Sequence, residues 1–238
     1  MATSPFLMFI DKIEGLHALE HYGIRVVRAK YVDSAEDVIA FAGRRDAEDD
    51  RPVPIELRVV GQGKQPLSGR GVTHGPLLDH EAIRRAYAEL APRVERAGGR
   101  IVAADAVGDG TDIAITGRSD EALGKCLTVR SAVHCVQRMV PLDEGGAEAL
   151  ARNVQGFHHH GASEQGRRML EHLLLRVSTF FEDSGVESFD LDPVRIHENG
   201  YTVLDATLRS RASLHRKARL QREDHDRKSL DYHPSGRQ

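Results

Sequence analysis

Residues 188–208, Ser-Phe-Asp-Leu-Asp-Pro-Val-Arg-Ile-His-Glu-Asn-Gly-Tyr-Thr-Val-Leu-Asp-Ala-Thr-Leu, constrain this chain more than any other stretch. They read as a β-hairpin. Asn199-Gly200 is a two-residue turn signal because both positions tolerate positive φ, and the flanks are rich in Val, Ile, Leu, Tyr and Thr. A turn centred there makes 198 face 201, 194 face 205 and 192 face 207. Side chains alternate between faces along a strand. Asp190, Asp192, Val194 and Ile196 then share a face with Val203, Asp205 and Thr207, with Asp192 and Asp205 as diagonal neighbours. Three carboxylates on one side repel one another unless something neutralises them. A hard cation with oxygen ligands, Mg²⁺ above all, is the natural candidate. The alternative is a solvated polar face, where nearby acids cost little.

Around this hairpin, helical and strand patterns alternate. Residues 11–21 carry Ile13, Leu16 and Leu19 at helical spacing and stop before Gly23; 23–27 read as a short strand. Ser34 and Asp37 resemble a capping box for a helix with Val38, Ile39 and Phe41 on one face. In 54–60, Ile55, Leu57 and Val59 alternate with Glu56, Arg58 and Val60, as a strand with one buried face would. Residues 61–75 form a glycine-rich loop, and Asp79 caps a helix to about residue 91. Strands are expected at 100–104, 112–116 and 127–136, and helices at 141–154 and 164–183. The last helix is amphipathic through Leu170, Leu173, Leu174, Val177 and Phe180. Such a mixture favours an α+β fold with two lobes.

The chain has 238 residues with 29% charged and 40% hydrophobic, enough for a substantial core. Net charge is −3 and Trp is absent, so nothing calls for nucleic acid as a partner. The balance is uneven: residues 209–238 hold nine Lys/Arg against four Asp/Glu, and 213–238 are expected to be a basic, flexible tail. Two cysteines, Cys126 and Cys135, give no disulfide framework. The apolar run 6–10 is too short for a signal-peptide core and no apolar segment approaches membrane-spanning length, so a cytoplasmic protein is expected.

Other motifs carry less. His158-His159-His160 is flanked by Gly156 and Gly161, and consecutive side chains point in different directions, so a loop is favoured over a metal site. Gly61-Gln62-Gly63 and Gly69-Arg70-Gly71 match no phosphate-loop or dinucleotide fingerprint. His134 and Cys135 are neighbours on an expected strand and read as buried structural residues.

Residues 185–206, with their Asp-Leu-Asp-Pro run, hairpin and closing Asp205-Ala206, resemble the end of the ATP-grasp β subunit of ADP-forming acyl-CoA synthetases, in the succinyl-CoA synthetase-like superfamily. His21-Tyr-Gly-Ile-Arg-Val-Val resembles that family's opening, Ser34-Ala-Glu-Asp-Val its first helix, and Leu173-Leu-Leu-Arg-Val-Ser the helix before the hairpin. The likeness spans roughly residues 13–209. It implies an ATP-grasp fold with two lobes, divided here as 1–97 and 98–212, around a nucleotide cleft. It implies Mg²⁺ and ATP, a small carboxylic acid and CoA as substrates, and a CoA-binding α-type partner subunit or self-association. The metal positions fall on Asp192 and Asp205, with Asp190 beside them, and the nucleotide positions on Arg58, Asp112 and Arg130.

The chain also departs from that pattern. Arg58 stands where the family has a phosphate-binding Lys, and a guanidinium differs from an ammonium in shape. The family's His-Lys pair is replaced by Pro66-Leu67, its glycine positions by Arg130 and Val133, and its Glu by Gln137. Arg70, His74 or Arg130 could restore a phosphate contact. Two readings result: an ATP-grasp subunit of an acid–CoA ligase system, or a catalytically degenerate relative with a structural or regulatory role in a complex.

Overall fold

A computed structural model describes residues 7–43, 53–61, 73–154, 164–197 and 200–211. The histidine run, residues 62–72 with Pro66, Leu67 and Arg70, and the basic tail lie outside the described residues. The architecture is α+β, as the alternating patterns predict, and it is built on two sheets.

The first sheet is antiparallel and four-stranded. It contains β2 (Ala29–Val32), β5 (Gly99–Asp105), β3 (Ile55–Gly61) and β4 (Thr73–Leu77), in that order. Period-2 patterning buries Ile55, Leu57 and Val59 against α2 (Ala35–Ala42) and α3 (His80–Ala97), while Glu56 and Arg58 take the other face. Ser34 caps α2 by accepting from the Asp37 amide at 3.1 Å, and Asp79 caps α3 by accepting from Ala82 at 2.8 Å. Helix α3 runs past the expected end at 91 with Pro92 inside it, and stops at Gly98, whose φ of 60° closes the helix.

The second sheet has the order β1-β11-β9-β6-β7-β8, with β10 paired to β9. These strands are Leu7–Phe9, Ala206–Arg211, Val186–His197, Thr111–Asp120, Gly124–Arg130 and Cys135–Met139, with β10 at Gly200–Val203. One face packs against α1 (Lys12–His21), α4 (Glu144–Asn153) and α5 (Glu164–Asp183). Phe189 of β9 lies edge-on to Phe180 and Phe181 of α5 at 6.0 and 5.1 Å. Gly117 of β6 leaves room for that ring, because a Cβ there would sit 2.1 Å from it.

The sheets do not divide where the sequence suggests. β5 lies beyond residue 97 yet completes the first sheet, and β1 and α1 precede it yet belong to the second. The expected strand at 23–27 is a single parallel bridge, Val26 to Val203, fixed by hydrogen bonds from Val27 N to Val203 O and from Val203 N to Arg25 O. The expected strand at 127–136 is instead β7, a turn and the edge strand β8. His134 and Cys135 are therefore exposed rather than buried, because the chain reverses there and, among the described residues, β8 has no outer neighbour. Among the described residues no helix is long and apolar enough to cross a membrane.

Candidate functional site

The hairpin forms two residues away from its expected register. His197 pairs with Gly200 and Val203 with Val194. The same register continues into β11, where Ala206 faces Leu191 and Thr207 faces Asp190. Asp205 therefore stands directly across from Asp192 instead of diagonally.

A second departure sets which side chains share a face. Ile113 of β6 pairs with Val194 and Ile115 with Leu191, so Asp192 and Pro193 together oppose Ala114 alone. This bulge inserts one residue and reverses the alternation beyond it. Asp190 and Asp192 stay on the solvent side, while Val194 and Ile196 turn into the core instead of joining the acids. The bulge thus separates a polar strand half from an apolar one.

Pairing across the sheet then lays out rows on its open face. Arg130, Ala114, Asp192 and Asp205 form one row; Gln137, Thr128, Thr116, Asp190 and Thr207 form the next. Two acids have internal partners. Lys12, in the first turn of α1, reaches Asp205 at 2.5 Å, and Arg130 reaches Asp192 at 3.3 Å. Among the described residues no cation contacts Asp190. Its carboxyl is pushed up from the ordinary value, first by burial among the strands and then by Asp192; Arg130 and Arg118 oppose the shift, and Asp205 adds to it.

The first sheet meets the hairpin at the Leu204 carbonyl. Arg58 of β3 is forked onto Glu56 at 2.7 and 3.2 Å and donates a third bond to the Leu204 carbonyl at 2.9 Å. Tyr31 of β2 donates to Asp11 at 2.8 Å under the Arg100 guanidinium, 3.6 Å from its ring. Burial, then Asp11, push its phenol up, with a further contribution from Asp205. Arg130 thus pairs with one acid of the pair, while Arg58 binds the backbone carbonyl just before the other. Asp112 stands apart: both its oxygens are held by Arg195 at 2.8 and 3.0 Å, and Arg195 also binds the carbonyls of Val107 and Gly108.

Lys12, Arg195 and Tyr31 are participants that sequence reasoning did not single out. Lys12 left one trace: a cation in the first turn opposes the helix dipole, so the helix itself does not call for it.

The donor chemistry fits Mg²⁺ in a restricted way. Among the described residues no three His, Cys, Asp or Glu side chains are gathered closely enough to hold a metal alone. Mg²⁺ is usually held by one or two carboxylates, waters and substrate phosphates rather than by an all-protein cage. The opposed Asp192 and Asp205, with Asp190 short of positive charge, match that arrangement.

Several solved structures share the fold. An acetyl-coenzyme A synthetase of Ca. Korarchaeum cryptofilum, in complex with coenzyme A and Ca-AMPCP, is 20% identical over 86% of this chain and 93% of that one, with a TM-score of 0.71. A Pyrococcus horikoshii protein is 15% identical over 84% and 90%, with a TM-score of 0.66. An ATP citrate lyase from Methanothrix soehngenii, in complex with citrate and coenzyme A, is 14% identical over 86% of this chain and 51% of that one, with a TM-score of 0.57. None of the curated proteins matches. At these identities the likeness is one of fold. The ATP-grasp domain pattern, however, matches residues 8–209, which include both sheets and the acid-bearing hairpin, and the chain belongs to the ATP-grasp domain family.

Proposed function

We propose that this chain binds a magnesium–nucleoside triphosphate over the open face of the second sheet. There it activates a small carboxylic acid as an acyl phosphate for transfer to CoA, together with a CoA-binding partner chain. The observation that carries the reading is the Asp192–Asp205 pair, set opposite each other at a bulge, with Arg130 on one acid and Arg58 on the backbone carbonyl just before the other. Membership of the ATP-grasp family supports the nucleotide, and the Korarchaeum synthetase and the citrate lyase, solved with coenzyme A, support the acid–CoA chemistry.

Asp192 and Asp205 would hold the metal, whose charge offsets that of the phosphates. Phosphoryl transfer depends mainly on positioning and charge neutralisation. Arg130 is more than half exposed and can turn from Asp192 toward a phosphate. Arg58 is held firmly by Glu56 and binds the Leu204 carbonyl from the first sheet. Asp112 acts through Arg195, fixing the strand end and the loop at Val107 and Gly108. The protein is proposed to be cytoplasmic.

The second reading, a non-catalytic member of a complex, is favoured by the internal pairing. Asp205, Asp192, Arg58 and Asp112 each already have a counter-charge. The two readings separate in one assay. The purified chain is mixed with Mg-ATP, CoA and a panel of short acids, with and without a CoA-binding partner. ADP release with thioester formation only when the partner is present supports the ligase reading. Turnover by the chain alone contradicts the need for a partner, and no turnover in either case favours the second reading.

A further inference from the structure

We infer that Lys12 is a built-in competitor for the metal position: its ammonium occupies the cation side of Asp205, and a divalent ion binds there only by displacing it. The inference rests on the proposed metal role of Asp192 and Asp205.

Three observations carry it. Lys12 Nζ lies 2.5 Å from Asp205 Oδ2, although 193 positions separate the two residues, and about a third of each side chain is exposed. The contact is therefore tertiary and reachable by ions from solvent. Second, Lys12 sits in the first turn of α1, where the positive end of the helix disfavours a cation, while Asp11 already caps that end by accepting from the Ile13 and Glu14 amides. The ammonium serves Asp205 rather than the helix. Third, Arg130 holds Asp192 in the same way on the opposite strand. Each of the two opposed acids thus carries its own monovalent counter-ion from a different element.

A divalent ion exchanges one ammonium for two charges and gains oxygen ligands. It must still overcome the ion pair, so the wild-type site has a reduced metal affinity. Metal loading is tied in this way to the start of α1, which follows β1 at the far edge of the sheet.

The test uses the full chain and Mn²⁺ as the probe, read by the paramagnetic resonance of the free ion in the presence of ATP. Lys12→Met is compared with wild type, with Lys12→Gln as a second variant and Asp205→Ala as the anchor control; a circular-dichroism melt confirms that each is folded. The expected result is Mn²⁺ binding that Asp205→Ala abolishes and that both Lys12 variants tighten roughly fivefold, the size of a partly exposed ion pair. If Asp205→Ala abolishes binding but neither Lys12 variant tightens it, the competitor role is overturned and the metal site stands. If neither wild type nor the Lys12 variants bind Mn²⁺, the metal site itself falls, and the inference with it.

Discussion

Asp190 is the acid of the open face with the least compensation. Burial and the neighbouring Asp192 raise its carboxyl above the ordinary 3.8. The native state therefore holds that proton to higher pH than the unfolded chain does. Stability falls as pH rises from the ordinary value through the raised one, and it stays reduced above. Asp190→Asn removes this penalty. Its stability should therefore gain on wild type as pH rises from 3.8 through the raised value, read by denaturant unfolding at a series of pH values. A difference that stays constant across that range would contradict the assignment. The three acids were visible in the sequence because the hairpin's alternation gathers them on one face, and Arg58 because its strand resembles the one that carries a phosphate-binding Lys in the acyl-CoA synthetase family. Their counter-charges were not. Lys12 meets Asp205 across almost the whole chain, and no local spacing records such a contact.

At the scale of elements, β6 and β9 decide the site, and their fit depends on Gly117. A methyl group there would meet the Phe189 ring, which is itself locked between Phe180 and Phe181. Gly117→Ala should cost about 2–3 kcal/mol in denaturant unfolding, as overpacking does. Wild-type stability in that variant would mean the ring has freedom that the packing denies it. Most elements were legible from periodicity; α5 spans 164–183 as expected, and Ile55, Leu57 and Val59 face inward as their alternation requires. The hairpin existed as expected, but its register and the bulge at Asp192 and Pro193 did not show. An Asn-Gly pair signals a turn without fixing its centre, and a bulge depends on the partner strand β6, which is far away in sequence. The edge strands β1 and β8 escaped notice because three to five residues give too little pattern.

For the whole molecule, the question is how two sheets act as one site. Arg58 is a direct link between them, donating from β3 to the Leu204 carbonyl while Glu56 holds its fork. Arg58→Ala should lower stability by about 1–2 kcal/mol, and Arg58→Lys should recover only part of it because an ammonium cannot reproduce the fork. Equal stability in all three proteins by chemical denaturation would show that the link carries nothing. The two-lobed plan was legible, but its boundary was not, because β5 returns to the first sheet after α3 while β1 and α1 join the second. The central claim is that the Asp192–Asp205 pair forms a metal–nucleotide site. Calorimetric titration of wild type and of the Asp192→Ala/Asp205→Ala variant with Mg-ATP tests it most directly. Saturable binding to wild type, weakened at least about tenfold in the variant, is the predicted result. Absence of binding to wild type at millimolar Mg-ATP, or equal binding by both proteins, would contradict it.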